Sequence, residues 1–203
     1  MIFLILSVLI WGLIHSWMSS LRFKTMLQRA LGPEQMKFYR LFFNIFSVVS
    51  IAPVAYFMIS LPDHNFYQVP VPWNIIMSFG RGISALFFLV SLLQTDVLSF
   101  AGLRQLFEDE KRGSLVIGGV YRLVRHPLYT FGLLVIWLSP SVSLNSFITY
   151  LAFTIYILIG IVFEERKLLR EFGQAYSDYR SVTPMLIPSL SKIPSAGKSD
   201  GNK

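Results

Sequence analysis

The chain of 203 residues contains no cysteine, which excludes disulfides, thiolate nucleophiles and cysteine-ligated metals. It is also short of charge. Asp, Glu, Lys and Arg make up only 14% of it, against about a quarter in ordinary soluble domains. Its three histidines, His15, His64 and His126, lack metal-like spacing, so no metal is expected. No internal repeat is present. Only the end, SLSKIPSAGKSDGNK over residues 189–203, has the small, polar composition of a disordered tail, which leaves residues 1–188 as a single membrane domain.

Apolar residues take the place of the missing charge: 54% of the chain is hydrophobic and 15% aromatic. A hydrocarbon layer takes roughly 20 apolar helical residues to cross. Windows of this kind run over Met1 to Met18, Leu41 to Leu61 and about Gly82 to Phe100, the last preceded by the interfacial-looking Val71-Pro-Trp-Asn74. A short one, Leu128 to Leu138, and a fifth, Ser146 to Phe163, follow on either side of the polar break at residues 139–145. The first window lacks a basic leader and a small-x-small cleavage pattern before Trp17, so it reads as a retained helix. The fold class expected is an all-α integral membrane helical bundle of about five transmembrane helices.

The formal charge of +7 would suit nucleic acid, but its distribution argues otherwise. Arg22, Lys24, Arg29, Lys37 and Arg40 lie between the first two windows, and Arg104, Lys111, Arg112, Arg122 and Arg125 between the third and fourth. Arg166, Lys167, Arg170, Arg180 and three further lysines follow the fifth, while of the other two connections one carries neither Lys nor Arg and the other only Arg81, at the edge of the third window. This is the positive-inside pattern of a chain with its N-terminus outside and its C-terminus in the cytoplasm, and it implies a lipid bilayer rather than a nucleic acid as the partner. The fourth window is short, since about 13 helical residues rise only about 20 Å. It is expected to form a hairpin with the fifth. Arg81 and Asp96, 15 residues apart and so about 22 Å along one helix, cannot pair within it.

The stretch RLVRHPLY, Arg122 to Tyr129, places basic groups at the mouth of the fourth window. Gly118 and Gly119 free the backbone ahead of it, and Pro127 suits the first turn of a helix, where its missing N–H costs nothing. His126 then falls at the N-cap, and a helix N-terminus flanked by Arg122 and Arg125 favours an anion. The fifth window ends in Glu164-Glu165. Both ends of the hairpin face the same side, so a ligand carrying both charges, such as an amino acid moiety, would satisfy both. His15 reads as a structural hydrogen-bonding residue. Leu168, Leu169, Phe172, Tyr176 and Tyr179 form the stripe of an amphipathic interfacial helix.

Gly119-Val-Tyr121, Arg125-His-Pro-Leu-Tyr129, Glu164-Glu165, Phe172-Gly173, Tyr176 and Tyr179-Arg180 together resemble the C-terminal signature of the isoprenylcysteine carboxyl methyltransferase and phospholipid methyltransferase family, over about residues 115 to 188. In the first half, His15-Ser16, Arg22-Phe-Lys24 and Tyr39-Arg40 resemble its NnrU-like and methanethiol methyltransferase-like bacterial branch. The resemblance implies S-adenosyl-L-methionine bound at the cytoplasmic face by the hairpin. Carried over, Tyr121, Arg125, His126, Pro127, Tyr129, Glu164 and Glu165 would bind it, with Arg125, His126 and Glu165 nearest the chemistry and a glutamate taking the ammonium group. The family's glycine two residues after the tyrosine is here Phe131, with Gly132 next, and its Pro-Arg near the end is Pro184-Met185, leaving Arg180 as a candidate replacement for the arginine.

Such a site needs little machinery, because a sulfonium methyl group is already activated and a dry pocket favours its attack by an anion. For a thiol acceptor, His126 or a glutamate would serve as base. The activity implied is a membrane S-adenosyl-L-methionine-dependent methyltransferase acting on a small thiol or a lipidic acceptor. The alternatives are an NADPH-dependent membrane reductase of steroid-reductase type and a non-catalytic NnrU-like membrane protein.

Overall fold

The computed structural model describes residues 1–107 and 114–188; the expected disordered tail lies outside them. Its helices are α1 (Ile2–Ser19), α2 (Leu21–Leu31), α3 (Tyr39–Ser50), α4 (Ala52–Ser60), α5 (Trp73–Leu93), α6 (Val97–Ala101), α7 (Pro127–Trp137), α8 (Leu144–Phe172) and α9 (Gln174–Val182). Two short strands, β1 (Asn65–Gln68) and β2 (Ser141–Ser143), make up the described sheet. Four stretches are long and apolar enough to cross a membrane, Ile2–Ser19, Glu34–Ser60, Trp73–Leu93 and Leu144–Phe172, with Pro127–Trp137 a shorter apolar helix. The protein is therefore of the all-α, integral membrane class expected, with the fourth window short.

Three boundaries differ from the expectation. The third span runs over Trp73–Leu93 rather than Gly82–Phe100. Pro72 stands just ahead of its first turn, with its carbonyl accepting from Ile75 N at 3.1 Å, so the aromatic that looked interfacial opens the helix. At the other end Asp96 stops the run by capping α6, its carboxylate accepting from Ser99 N at 3.1 Å and Ser99 Oγ at 2.8 Å. The second span breaks at Ile51, because Pro53 has no N–H for the Val49 carbonyl and its ring crowds it. The stripe from Leu168 to Tyr179 is divided by Gly173, at φ 53°, between the end of α8 and the separate α9.

The chain divides into two compact units. The first comprises Met1–Ser78, Asp96–Gly113 and Ser139–Tyr156. Its core is Leu4, Val8 and Val54, with Trp11, Ile51, Phe57 and Phe153 packed against them. Leu4, Val8 and Trp11 recur at helical spacing and define the inward face of α1, while Leu13 and Ile2 face outward as a lipid-facing surface would. The strands pair antiparallel, Tyr67 opposite Val142, and the Phe66 ring stacks on Phe147 with centroids 4.2 Å apart. Asp63 fastens this strand pair to the start of α8 by accepting from Asn145 N at 3.1 Å. Asp96, besides its capping role, pairs with Arg104 at 2.8 Å, and Arg40 and Asn44 of α3 donate to the Ser99 and Phe100 carbonyls.

The second unit comprises Phe79–Thr95, Ser114–Leu138 and Ile157–Lys203. Here Phe87 stacks on Phe131 at 5.1 Å, and a Cβ added at Gly132 would lie 3.5 Å from Phe88. The aromatic at 131 is thus a packing residue between α5 and α7, and the glycine beside it sits in ordinary contact. Val120, Val124, Ile161 and Tyr176 complete the buried interior.

Candidate functional site

The RLVRHPLY segment is delivered by a turn that only glycine suits. Gly119 lies at φ +57°, and a side chain there would collide with Gln94, whose Oε1 accepts from Val120 N at 3.0 Å. The short 3-10 turn Gly119–Arg122 follows, and Pro127 opens α7 with His126 at its N-cap. The residues leading into this helix are tied to the segment that follows α9. Arg125 N donates to Pro184 O at 2.8 Å, His126 N to Met185 O at 3.2 Å and Thr130 Oγ1 to Leu186 O at 2.8 Å. At the departure Pro184-Met185, then, the main-chain carbonyls are what bind the helix start.

The anion that Arg125 meets belongs to the chain. Its Nε and Nη2 both reach Glu165 Oε1, at 2.8 and 2.6 Å, while Nη1 donates to the Thr183 and Arg180 carbonyls. His126 Nε2 lies 3.3 Å from the same Glu165 oxygen, and its Nδ1 lies 3.7 Å from Glu164 Oε2. Arg180 Nε approaches the other Glu165 oxygen at 3.5 Å. Glu165 is 8% exposed and held from three sides, which compensates a carboxylate that would otherwise be costly to bury. Ring stacking adds Tyr129, 5.7 Å from His126. The Tyr179 hydroxyl donates to the Tyr121 carbonyl at 2.6 Å, fixing α9 to the 3-10 turn.

One polar atom in this cluster is buried without a hydrogen-bond partner among the described residues, Glu164 Oε2. Native interiors rarely leave such atoms unpaired unless a ligand or water meets them. The tyrosines register the surrounding charge. Burial first, and Glu164 second, pushes the Tyr121 hydroxyl up to about 12. Burial and then Glu165 pushes Tyr176 up to about 12, and Tyr179 is raised by burial and then by Tyr176.

All seven residues singled out from the sequence, Tyr121, Arg125, His126, Pro127, Tyr129, Glu164 and Glu165, fall in the second unit, and the charged ones are brought into contact across about 40 residues of chain. Sequence reasoning missed Gln94, the carbonyls of Thr183 to Leu186, and the different contacts of the two glutamates. Gln94 ends an apolar span with an ordinary polar residue, and a carbonyl has no side-chain signature.

The sequence profile of the NnrU protein family matches residues 3–192. The chain belongs to the NnrU family. It is also similar to bacterial enzymes named methanethiol S-methyltransferase. It is 39% identical over 136 residues to methanethiol S-methyltransferase 2 of Bradyrhizobium diazoefficiens, covering 60% of this chain and 52% of that one. The Pseudomonas deceptionensis enzyme is 40% identical over 75 residues, covering 37% and 29%, and the Mycobacterium tuberculosis one 31% over 130 residues, covering 58% and 53%. This NnrU-family chain spans about half the length or less of these curated relatives. No solved structure matches it.

Proposed function

We propose that this protein is a membrane methyltransferase that uses S-adenosyl-L-methionine and methylates a small thiol or a lipidic acceptor. The observation that carries the reading is the unpaired Glu164 oxygen beside the Arg125–Glu165–His126 cluster. Glu164, with its side chain 42% exposed and one oxygen unmet, is suited to an ammonium group. Glu165 is not, because its oxygens already serve Arg125, His126 and Arg180. Arg125 in turn is engaged with Glu165 and two carbonyls, so it orients the site, and Arg180, half exposed, is a cation suited to meet a carboxylate. The His126 and Tyr129 rings offer an aromatic wall for a purine. The relatives named as thiol methyltransferases support the same reading.

S-adenosyl-L-methionine supplies a methyl carbon activated by the positive sulfur. The protein's part is to hold it, exclude water and let an anionic acceptor approach in a low dielectric, where neutralising the two charges is most favourable. The basic connections support a site at the cytoplasmic face, with the N-terminus outside, in a bacterial inner membrane. Purified protein should be stabilised against heat by S-adenosyl-L-methionine and S-adenosylhomocysteine, and should transfer a labelled methyl group. Stabilisation by NADPH alone, or indifference to all three compounds, would overturn the reading.

A further inference from the structure

Within the first unit, α1 and α2 are separated only by Ser20, which makes the break between them. Its backbone is extended, its Oγ donates to the Trp17 carbonyl at 2.6 Å, and the same oxygen accepts from Phe23 N at 3.2 Å. The Trp17 ring meets Phe23 edge-on with centroids 4.5 Å apart, and Gly32, at φ +87°, ends the helix. One side of α2 is turned inward: Phe23, Lys24 and Leu27 are half-buried, with Lys24 Nζ 5.6 Å from the centre of the Tyr39 ring. The other side is open. Leu21, Arg22, Thr25, Met26, Arg29 and Ala30 are all exposed and line one groove along it.

That groove is basic and apolar at once. Arg22 and Arg29 lie two helical turns apart, about 10.5 Å, with Thr25 between them on the same face. Neither arginine makes a hydrogen bond or ion pair among the described residues. The chain carries no Asp or Glu before Glu34, so no side chain of α1 or α2 can neutralise them. At 100° per residue, Met26 and Ala30 fall between the arginines and the half-buried Phe23 and Leu27, so the surface grades from basic to apolar around the helix. Trp17, 56% exposed at the end of the first span, occupies the position that tryptophan takes where hydrocarbon meets water. A short amphipathic helix directly after such a residue belongs at the level of the lipid headgroups.

A phospholipid brings both halves that the groove calls for, a phosphate for the guanidinium groups and an acyl chain for the apolar ledge. We propose that α2 binds an anionic phospholipid of the leaflet it adjoins. The phosphate is held between Arg22 and Arg29, with the Thr25 hydroxyl donating to it, and an acyl chain lies along Met26 and Ala30. Arginine suits this role better than lysine, because its planar fork meets two phosphate oxygens at once. No part of the assignment rests on the methyltransferase reading.

The test titrates the full chain, in an uncharged detergent, with phosphatidylglycerol and with phosphatidylcholine, and reads bound lipid by native mass spectrometry. The wild type should prefer phosphatidylglycerol, and the preference should shrink as salt rises from about 0.05 to 0.5 M. Arg22→Gln and Arg29→Gln should each weaken phosphatidylglycerol binding about fivefold and the double variant about 30-fold, with phosphatidylcholine binding unchanged. Met26→Glu leaves both arginines in place and should weaken it comparably, by setting a negative charge beside the phosphate. All three positions are exposed, so the thermal midpoints should stay where they are. Indifference of the wild type to headgroup charge, or a double variant that keeps the wild-type preference, would overturn the site. Preference for a polyglutamate peptide over phosphatidylglycerol would overturn it equally, by giving the groove to an acidic protein.

Discussion

At the scale of single residues, the two adjacent glutamates have different surroundings. Glu165 is enclosed by Arg125, His126 and Arg180, whereas Glu164 keeps one buried oxygen unmet. Removing Glu165 would strand Arg125, whose side chain is 8% exposed, and losing one partner of a buried pair typically costs about 3–5 kcal/mol. Glu165→Ala should therefore lower the thermal midpoint in detergent sharply. Glu164→Gln should leave that midpoint nearly unchanged and weaken S-adenosyl-L-methionine binding about 10- to 100-fold, the equivalent of one charge-assisted hydrogen bond. Calorimetric titration beside thermal denaturation checks both, and the reverse pattern would exchange the roles. The convergence of the basic and acidic groups was legible in the sequence because charges are rare in so apolar a chain; that Arg125 and Glu165 would satisfy one another was not. Which glutamate was pinned was not, because that depends on helix rotation and on Arg180 arriving from α9.

At the scale of elements, hydropathy found the spans and misjudged their ends. The third was displaced because a hydropathy window cannot see that Pro72 starts a helix or that Asp96 caps the next one. The pairing of β1 with β2 was equally hidden, since neither strand is long enough for an alternating pattern. Asp63 fastens that pairing and carries a pH signature. Burial raises its carboxyl, but hydrogen bonds from Ser143 and from the Asn145 and His64 backbone, with the His64 charge, more than reverse this and leave it below its ordinary 3.8. A depressed folded value means that the stabilisation is present above the unfolded value and is lost as pH falls through the folded one. The thermal midpoint should hold steady from neutral pH to about 5 and decline from about 4 downward. Asp63→Asn should start lower and lack this part of the decline. A wild-type decline that survives unchanged in the variant would assign it to other carboxylates.

At the scale of the whole molecule, the class was written in the composition, because 14% charge and 54% hydrophobic content leave no soluble alternative. The same +7 that invited nucleic acid becomes a topology once placed along the chain: basic residues fill every second connection. The proposed methyl donor is charged and made in the cytoplasm, so the Arg125–Glu165 cluster must open to that side for the functional reading to stand. The lack of native cysteine makes this directly measurable, since any introduced thiol is unique. The exposed positions His64, in the connection before β1, Gln28 on α2 and Ser177 on α9 serve as reporters. In intact cells a membrane-impermeant maleimide should label His64→Cys, while Gln28→Cys and Ser177→Cys should react only after permeabilisation. Labelling of Ser177→Cys from outside would put the candidate site on the wrong face for its donor, whatever the geometry of the charges within it.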